Sequence, residues 1–190
     1  ELSKRKKNDI KPRLFVSEYA IPKYITSMLT FVLMRRKQVT VIGNYDANDA
    51  QYELGLQVGN LIAKLGACVI SGGRTGLMEA VARGCSEAGG ISIGLLPGED
   101  FESSNDYNSI VIPSGIGYAR NSMNVLAADV VIAVGGASGT LSEIAYAWCY
   151  RKPIIVLQGG GGWGDQLIGT AIDHRWDYKI EGAQSLAELE

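Results

Sequence analysis

From residue 38 onward, short runs of β-branched and aliphatic residues alternate with longer stretches in which apolar positions recur every three to four residues. The short runs are Val39-Thr40-Val41-Ile42-Gly43, Ala67-Cys68-Val69-Ile70-Ser71, Ile91-Ser92-Ile93-Gly94-Leu95, Ser109-Ile110-Val111-Ile112, Val130-Val131-Ile132-Ala133-Val134 and Pro153-Ile154-Ile155-Val156-Leu157. Most lack polar alternation, which predicts strands buried on both faces, as in a parallel sheet covered by helices. Between the first two runs, Ala50, Leu54, Val58, Leu61, Ile62 and Leu65 fall at helical spacing, and Gly66 stands where a helix stops. Further helices are predicted over 77–88, 119–127, 139–150 and 165–173, with a polar loop over 98–108. The order βαβαβ predicts an α/β fold, a Rossmann-like doubly wound parallel sheet in three αβα layers, over residues 38–190.

The preceding residues read differently. Residues 1–37 hold ten Lys/Arg and three Asp/Glu, a formal +7, against eight basic and seventeen acidic residues, or −9, in the remainder. This predicts a basic N-terminal arm. Ile25, Met28, Leu29 and Val32 after Pro22 give it one amphipathic helix. Lys4-Arg5-Lys6-Lys7 raises nucleic acid as a partner, but the acidic body opposes it and a solvated terminus is the expectation. Glu18, Pro22 and Lys23 break the apolar stretch from Leu14 to Met34 below the ~18 residues a membrane span needs. Met34, just ahead of the first strand, is a candidate second translation start. A separate reading is an assembly protein whose arm, residues 1–37, mainly joins subunits.

Composition narrows the chemistry. Cys68, Cys85 and Cys149 are far apart and odd in number, which argues against a disulfide framework and fits a reducing cytoplasm. The single histidine, His174, has no neighbouring Cys or nucleophile motif, so it reads as a surface residue, and neither a zinc site nor a Ser-His-Asp triad is expected.

Several of the 24 glycines stand where strands meet helices. Ser71-Gly72-Gly73-Arg74-Thr75-Gly76 follows the second strand, and Gly135-Gly136-Ala137-Ser138-Gly139-Thr140-Leu141-Ser142-Glu143 follows the fifth. Helix N-termini there offer free N–H groups and a positive dipole end, and glycine lets an anion approach the backbone. Arg74, Ser138, Thr140 and Arg120 add donors, so a phosphate-bearing ligand is expected. Neither loop is a P-loop or a GxGxxG dinucleotide motif. The run Gly159-Gly160-Gly161-Gly162-Trp163-Gly164 reads as a third such loop, with Trp163 able to stack on a ring or pack between subunits. Asn44, Tyr45 and Asn48 reach the same sheet edge, where they could meet a base or sugar. Thr140-Leu141-Ser142-Glu143 also reads as a capping box. Met78, Met123, Tyr146 and Trp148 read as packing residues.

At these motifs the chain resembles the SLOG superfamily, which includes the LOG phosphoribohydrolases and was historically labelled lysine decarboxylase-like. Gly72-Gly73-x-x-Gly76-Leu77-Met78 is similar to the family's GGG-x-x-G-L-M element, and Gly135-Gly136-x-x-Gly139-Thr140-x-x-Glu143 to its PGG-x-GT-x-x-E element. Arg120-Asn121, where LOG enzymes carry Arg-Lys, and Val134, where they carry Pro, look like the molybdenum cofactor carrier branch.

The resemblance implies a phosphate- or nucleotide-binding site made of Gly72, Gly73, Arg74, Thr75, Gly76, Arg120, Asn121, Gly135, Gly136, Ser138, Gly139, Thr140 and Glu143. It implies no required cofactor, a bound molybdenum cofactor or nucleoside monophosphate as ligand, and a homo-oligomer, dimer or tetramer. The alternative it implies is a nucleoside 5'-monophosphate phosphoribohydrolase with Arg120 and Glu143 as catalytic residues. Lysine decarboxylation is disfavoured, because pyridoxal phosphate needs a buried Lys and the body holds Lys64, Lys152 and Lys179 at helix, strand or tail ends.

Overall fold

The computed structural model describes residues 35–189. The basic arm with its amphipathic helix, and Met34 as a second start, lie outside the described residues except for 35–37. The six expected strands form as β1 (Gln38–Gly43), β2 (Cys68–Ser71), β3 (Ile91–Leu96), β4 (Ile110–Pro113), β5 (Val130–Val134) and β6 (Ile154–Leu157). A seventh, β7 (Glu181–Ala183), pairs with β6 at the edge. The helices are α1 (Asp49–Lys64), α2 (Leu77–Glu87), α3 (Arg120–Leu126), α4 (Ser138–Cys149) and α5 (Gly162–Leu167).

All seven strands run parallel in the order β4-β3-β2-β1-β5-β6-β7. The chain winds one way from β1 to β4, then returns to the centre and winds the other way from β5. In such a sheet the crevice at the carboxyl ends of the two central strands is where ligands collect. Here those ends are Gly43 and Val134, which are register partners.

The period of two along each strand divides the core. Val39 and Val41 of β1 and Ile132 and Val134 of β5 pack with Val58, Ile62, Leu77 and Val81 under α1 and α2. Their alternates Ile42, Val131 and Ala133 pack with Val125, Ile144, Ala147 and Trp148 under α3 and α4. Burial on both faces is why these strands lack polar alternation. Thr40 is a buried polar residue of β1, and its hydroxyl donates to the Asn124 carbonyl at 2.7 Å, holding α3 against the sheet. Trp148 is fully buried and its indole N–H donates to Asp173 at 2.8 Å.

Helix α1 begins at a capping box: Asn48 Oδ1 accepts the Gln51 N–H at 2.9 Å, and Gln51 Oε1 accepts the Asn48 N–H at 3.1 Å. Helices α1 and α2 then cross backbone to backbone. A Cβ on Gly59 would strike the Val81 carbonyl oxygen, and one on Gly84 would strike the Leu56 carbonyl oxygen. Because backbone cannot yield as a side-chain tip can, Gly84→Ala is expected to cost about 1–3 kcal/mol. Thermal denaturation checks this, and an unchanged midpoint would mean the helices are not so close.

The last helix differs from the expected 165–173. It starts at Gly162, because the Asp165 carboxylate accepts the N–H groups of Gly159 (3.1 Å) and Gly161 (2.9 Å) and folds the glycine run into the helix start. It stops at Leu167, since Ile168 is extended and the Gly169 N–H donates to the Ile180 carbonyl at 2.9 Å, turning the chain towards β7. The three cysteines are free thiols, Cys68 and Cys85 buried and Cys149 exposed. His174 is exposed. Among the described residues no helix is long and apolar enough to cross a membrane.

Candidate functional site

A cleft of about 340 Å³ opens over the carboxyl ends of β1, β2 and β5, at the point where the strand order reverses. Of the residues read from sequence, Gly72, Arg74, Arg120, Asn121, Ser138, Gly139, Thr140 and Glu143 line it. Gly73, Thr75, Gly76, Gly135 and Gly136 stand behind it and shape the loops instead.

On the β2 side, Gly72 makes room for Arg120. A Cβ there would lie against the guanidinium, 2.7 Å from Nη1, and 2.6 Å from Met78 Sδ. Gly73 turns the chain at φ 73°, and its carbonyl accepts from the Asn105 and Asn108 side-chain amides, each at 3.0 Å. The polar 98–108 loop thus braces the glycine turn. Gly76 packs against the Tyr45 carbonyl, and exposed Thr75 reaches the same oxygen at 3.4 Å. Arg74 lies over the Tyr45 ring, 4.8 Å from its centroid.

On the β5 side, Gly135 and Gly136 adopt φ 68° and 118° and accept the N–H groups of Gly164 and Trp163 at 3.1 and 2.9 Å. The tetraglycine run is therefore a buttress behind the second loop and not a third wall of the cleft, which corrects its sequence reading. Gln51 completes this buttress by donating to the Gly160 carbonyl at 2.6 Å. Trp163 is not among the residues lining the cleft.

Helix α4 starts at Ser138 with no side chain capping its N-terminus. Its first N–H groups, with Ser138, Gly139 and Thr140 on the cleft wall, present the positive dipole end to the cavity. The capping box read at Thr140 does not form. Thr140 is already inside the first turn, and its hydroxyl donates to the Gly43 carbonyl at 3.1 Å, tying α4 to the tip of β1. Glu143 is thereby released from capping and faces the cavity.

Glu143 is buried (7% exposed). Its Oε1 accepts from the Asn124 amide at 2.8 Å and lies 3.6 Å from Arg120 Nη1. Burial pushes its carboxyl up to about 7, although the Asn124 hydrogen bond and the Arg120 charge both pull it down. Burial also lowers the Arg120 pKa, against the attraction of Glu143, but a guanidinium stays cationic at neutral pH. Two buried atoms here, Arg120 Nε and Asn124 Oδ1, have no hydrogen-bond partner among the described residues.

Asn121 is buried and donates to Ser142 Oγ at 2.8 Å, so its amide is spent on holding α3 to α4. Asn44 and Asn48 are likewise engaged with Gln51 and the α1 cap, whereas Tyr45 does line the cleft. Sequence reasoning missed Asn124, Tyr118 and Met78. Met78 lines the cleft and does not sit in the core, and Met123 is 38% exposed. Asn124 is four residues from Arg120 on the same helix face, the one signal that pointed to it.

The family model for the SLOG cluster4 family matches residues 36–186. The chain is similar to the molybdenum cofactor binding protein of Rippkaea orientalis, at 41% identity and TM-score 0.64, covering 65% of this chain and 77% of that one. It is similar to the molybdenum cofactor carrier protein of Chlamydomonas reinhardtii, at 35% identity and TM-score 0.62, covering 65% and 77%. A protein of Archaeoglobus fulgidus is 38% identical over 132 residues, 66% of this chain and 87% of its own length.

Proposed function

The chain belongs to the SLOG cluster4 family, and from that premise we propose that it binds a phosphorylated pterin of the molybdenum cofactor type, as a carrier, in the cleft at the strand-order reversal. The observation that carries this reading is the convergence of Arg74, Arg120 and the uncapped N-terminus of α4 on one cavity. Phosphate gains from guanidinium forks and from a helix dipole together. The cofactor names of the similar proteins from Rippkaea and Chlamydomonas support a pterin body on that phosphate. Gly72, Arg74, Arg120, Ser138, Gly139, Thr140 and Glu143 would touch the ligand, and Gly73, Thr75, Gly76, Asn121, Gly135 and Gly136 would hold the walls.

Carriage needs no bond to break. The engagement of Asn121 with Ser142 supports it, because no second cation stands beside Arg120 in that helix. A homo-oligomer, dimer or tetramer, in the cytoplasm fits the motif resemblance, and residues 1–37 are read as a separate arm. Among the described residues, none of Lys64, Lys152 and Lys179 lines the cleft, whereas a pyridoxal Schiff base needs a buried Lys.

One observation favours a second reading, a nucleoside 5'-monophosphate phosphoribohydrolase. A carboxyl titrating at about 7 beside a phosphate-binding Arg is suited to acid-base work on a glycosidic bond. Mass spectrometry of the small molecule that copurifies, followed by incubation with AMP, separates the two. The carrier reading expects intact pterin phosphate and no adenine. Adenine released by the parent protein but not by Glu143→Gln would replace it with the hydrolase.

A further inference from the structure

Three features surrounding Glu143 are left unexplained by a simple ion pair. The Arg120 contact is long at 3.6 Å, Arg120 Nε is buried without a partner, and Asn124 Oδ1 is buried without a partner on a residue that is 0% exposed. A buried polar atom left unpaired is costly, so such an atom calls for a partner that its neighbours can provide. An ionised Glu143 provides none to Asn124 Oδ1, since a carboxylate only accepts. A protonated Glu143 does. Its Oε1 already accepts from Asn124 Nδ2 at 2.8 Å, and a hydroxyl on the same carboxyl would be the donor that Oδ1 lacks, making a two-bond acid-amide ring.

We propose that burial holds Glu143 as a neutral acid, that Asn124 is a positioning residue that orients this acid through the paired bond, and that the cleft captures a phosphoester in the acid state and releases it as Glu143 ionises. The inference rests on the phosphoester reading given above and adds its regulation. The step is one proton exchanged with solvent: the acid loses it to water, the ring with Asn124 opens, and the carboxylate turns its charge to Arg120. The ionised carboxylate then competes with the ligand for the guanidinium and repels its phosphate.

The groups that face Glu143 agree with this assignment. Among the described residues, Arg120 on α3 is the nearest charge, Arg74 from the β2–α2 loop acts on Arg120, and Tyr45 and Tyr118 are the remaining titratable groups of the cavity. Among the described residues no other acidic side chain lines it. The carboxyl's midpoint of about 7 puts the exchange within reach of small pH changes.

Two measurements on the full chain test this. Difference infrared spectra of ligand-free protein, one unit below and one unit above the midpoint, should show a carboxylic-acid carbonyl band that disappears on the alkaline side and is absent from Glu143→Gln. In Asn124→Leu the band should persist at higher frequency, because the acid loses its partner, whereas a merely structural Asn would leave its frequency alone. Calorimetry with AMP as probe then compares parent with Glu143→Gln, which shares the ligand's own titration. The affinity ratio should be flat below the midpoint and fall about tenfold per pH unit above it. An absent acid band, a band unmoved in Asn124→Leu, or a ratio flat across the range overturns the proposal. No heat with AMP and none with a pterin phosphate, while the band is present, counts against the phosphoester reading and leaves the acid-amide pair standing.

Discussion

Arg120→Leu is expected to weaken phosphoester binding by between about a hundredfold and ten-thousandfold while the protein stays folded. Two charge-assisted hydrogen bonds from one guanidinium are worth roughly 1.5–3 kcal/mol each, which sets that range. The fold should survive because nothing in the core depends on this side chain. Its Nε bonds to nothing among the described residues, and Gly72 merely leaves it space. Leucine removes a desolvated charge, and Glu143 loses the cation that pulls its carboxyl down, so the acid moves further up and stays neutral. Arg120→Lys keeps the charge without the two-armed geometry and should fall between parent and Leu. Calorimetry with a pterin or nucleoside phosphate, alongside a thermal melt, decides it. An Arg120→Leu protein with parental affinity would remove Arg120 from the site.

Gly76→Ala is expected to give the largest loss of stability. The residue sits at φ 67°, ψ −130°, a region that side chains avoid at a cost of about 1–3 kcal/mol. A Cβ would also strike the Tyr45 carbonyl oxygen and approach that of Asn44 at 2.7 Å. Overpacking against backbone adds about 1–3 kcal/mol. The same junction carries the Leu77 N–H bond to the Asn44 carbonyl at 3.0 Å, so the first turn of α2 would move with it. With about 2–4 °C lost per kcal/mol in a domain of this size, the melting midpoint should drop by roughly 10 °C. Gly139→Ala is the control. Gly139 lies in the other glycine motif, but a Cβ there meets nothing within 4 Å, so its midpoint should hold. Equal losses in both variants would mean that the motif glycines act generally and not through these contacts.

The β-branched runs were enough to place six strands and their parallel sense, because a strand buried on both faces must be apolar along its whole length. They were silent on β7. Glu181-Gly182-Ala183 is an edge strand with two exposed residues, and its pairing is paid for by β6 and not by its own side chains. Helix α4 shows a different shortfall. Thr140-x-x-Glu143 satisfies the local rule for a cap, yet the N-cap falls at Ala137, three residues earlier, after Gly136 has turned the chain at φ 118°.

The glycine turns at the ends of β2 and β5, and with them one glycine-rich rim of the sheet, were determined by the sequence itself, because strand, turn and helix start are local matters governed by a handful of adjacent residues. Which of those glycines touch the cavity, and that the tetraglycine run supports them from behind, came only with the tertiary structure. So did the pairing of Asn124 with Glu143 and the seating of Arg120 against Gly72, 48 positions apart in the chain. Contacts between separate helices and loops are set by how layers pack on the sheet, and a burial strong enough to move a carboxyl to about 7 exists only once that packing has excluded water.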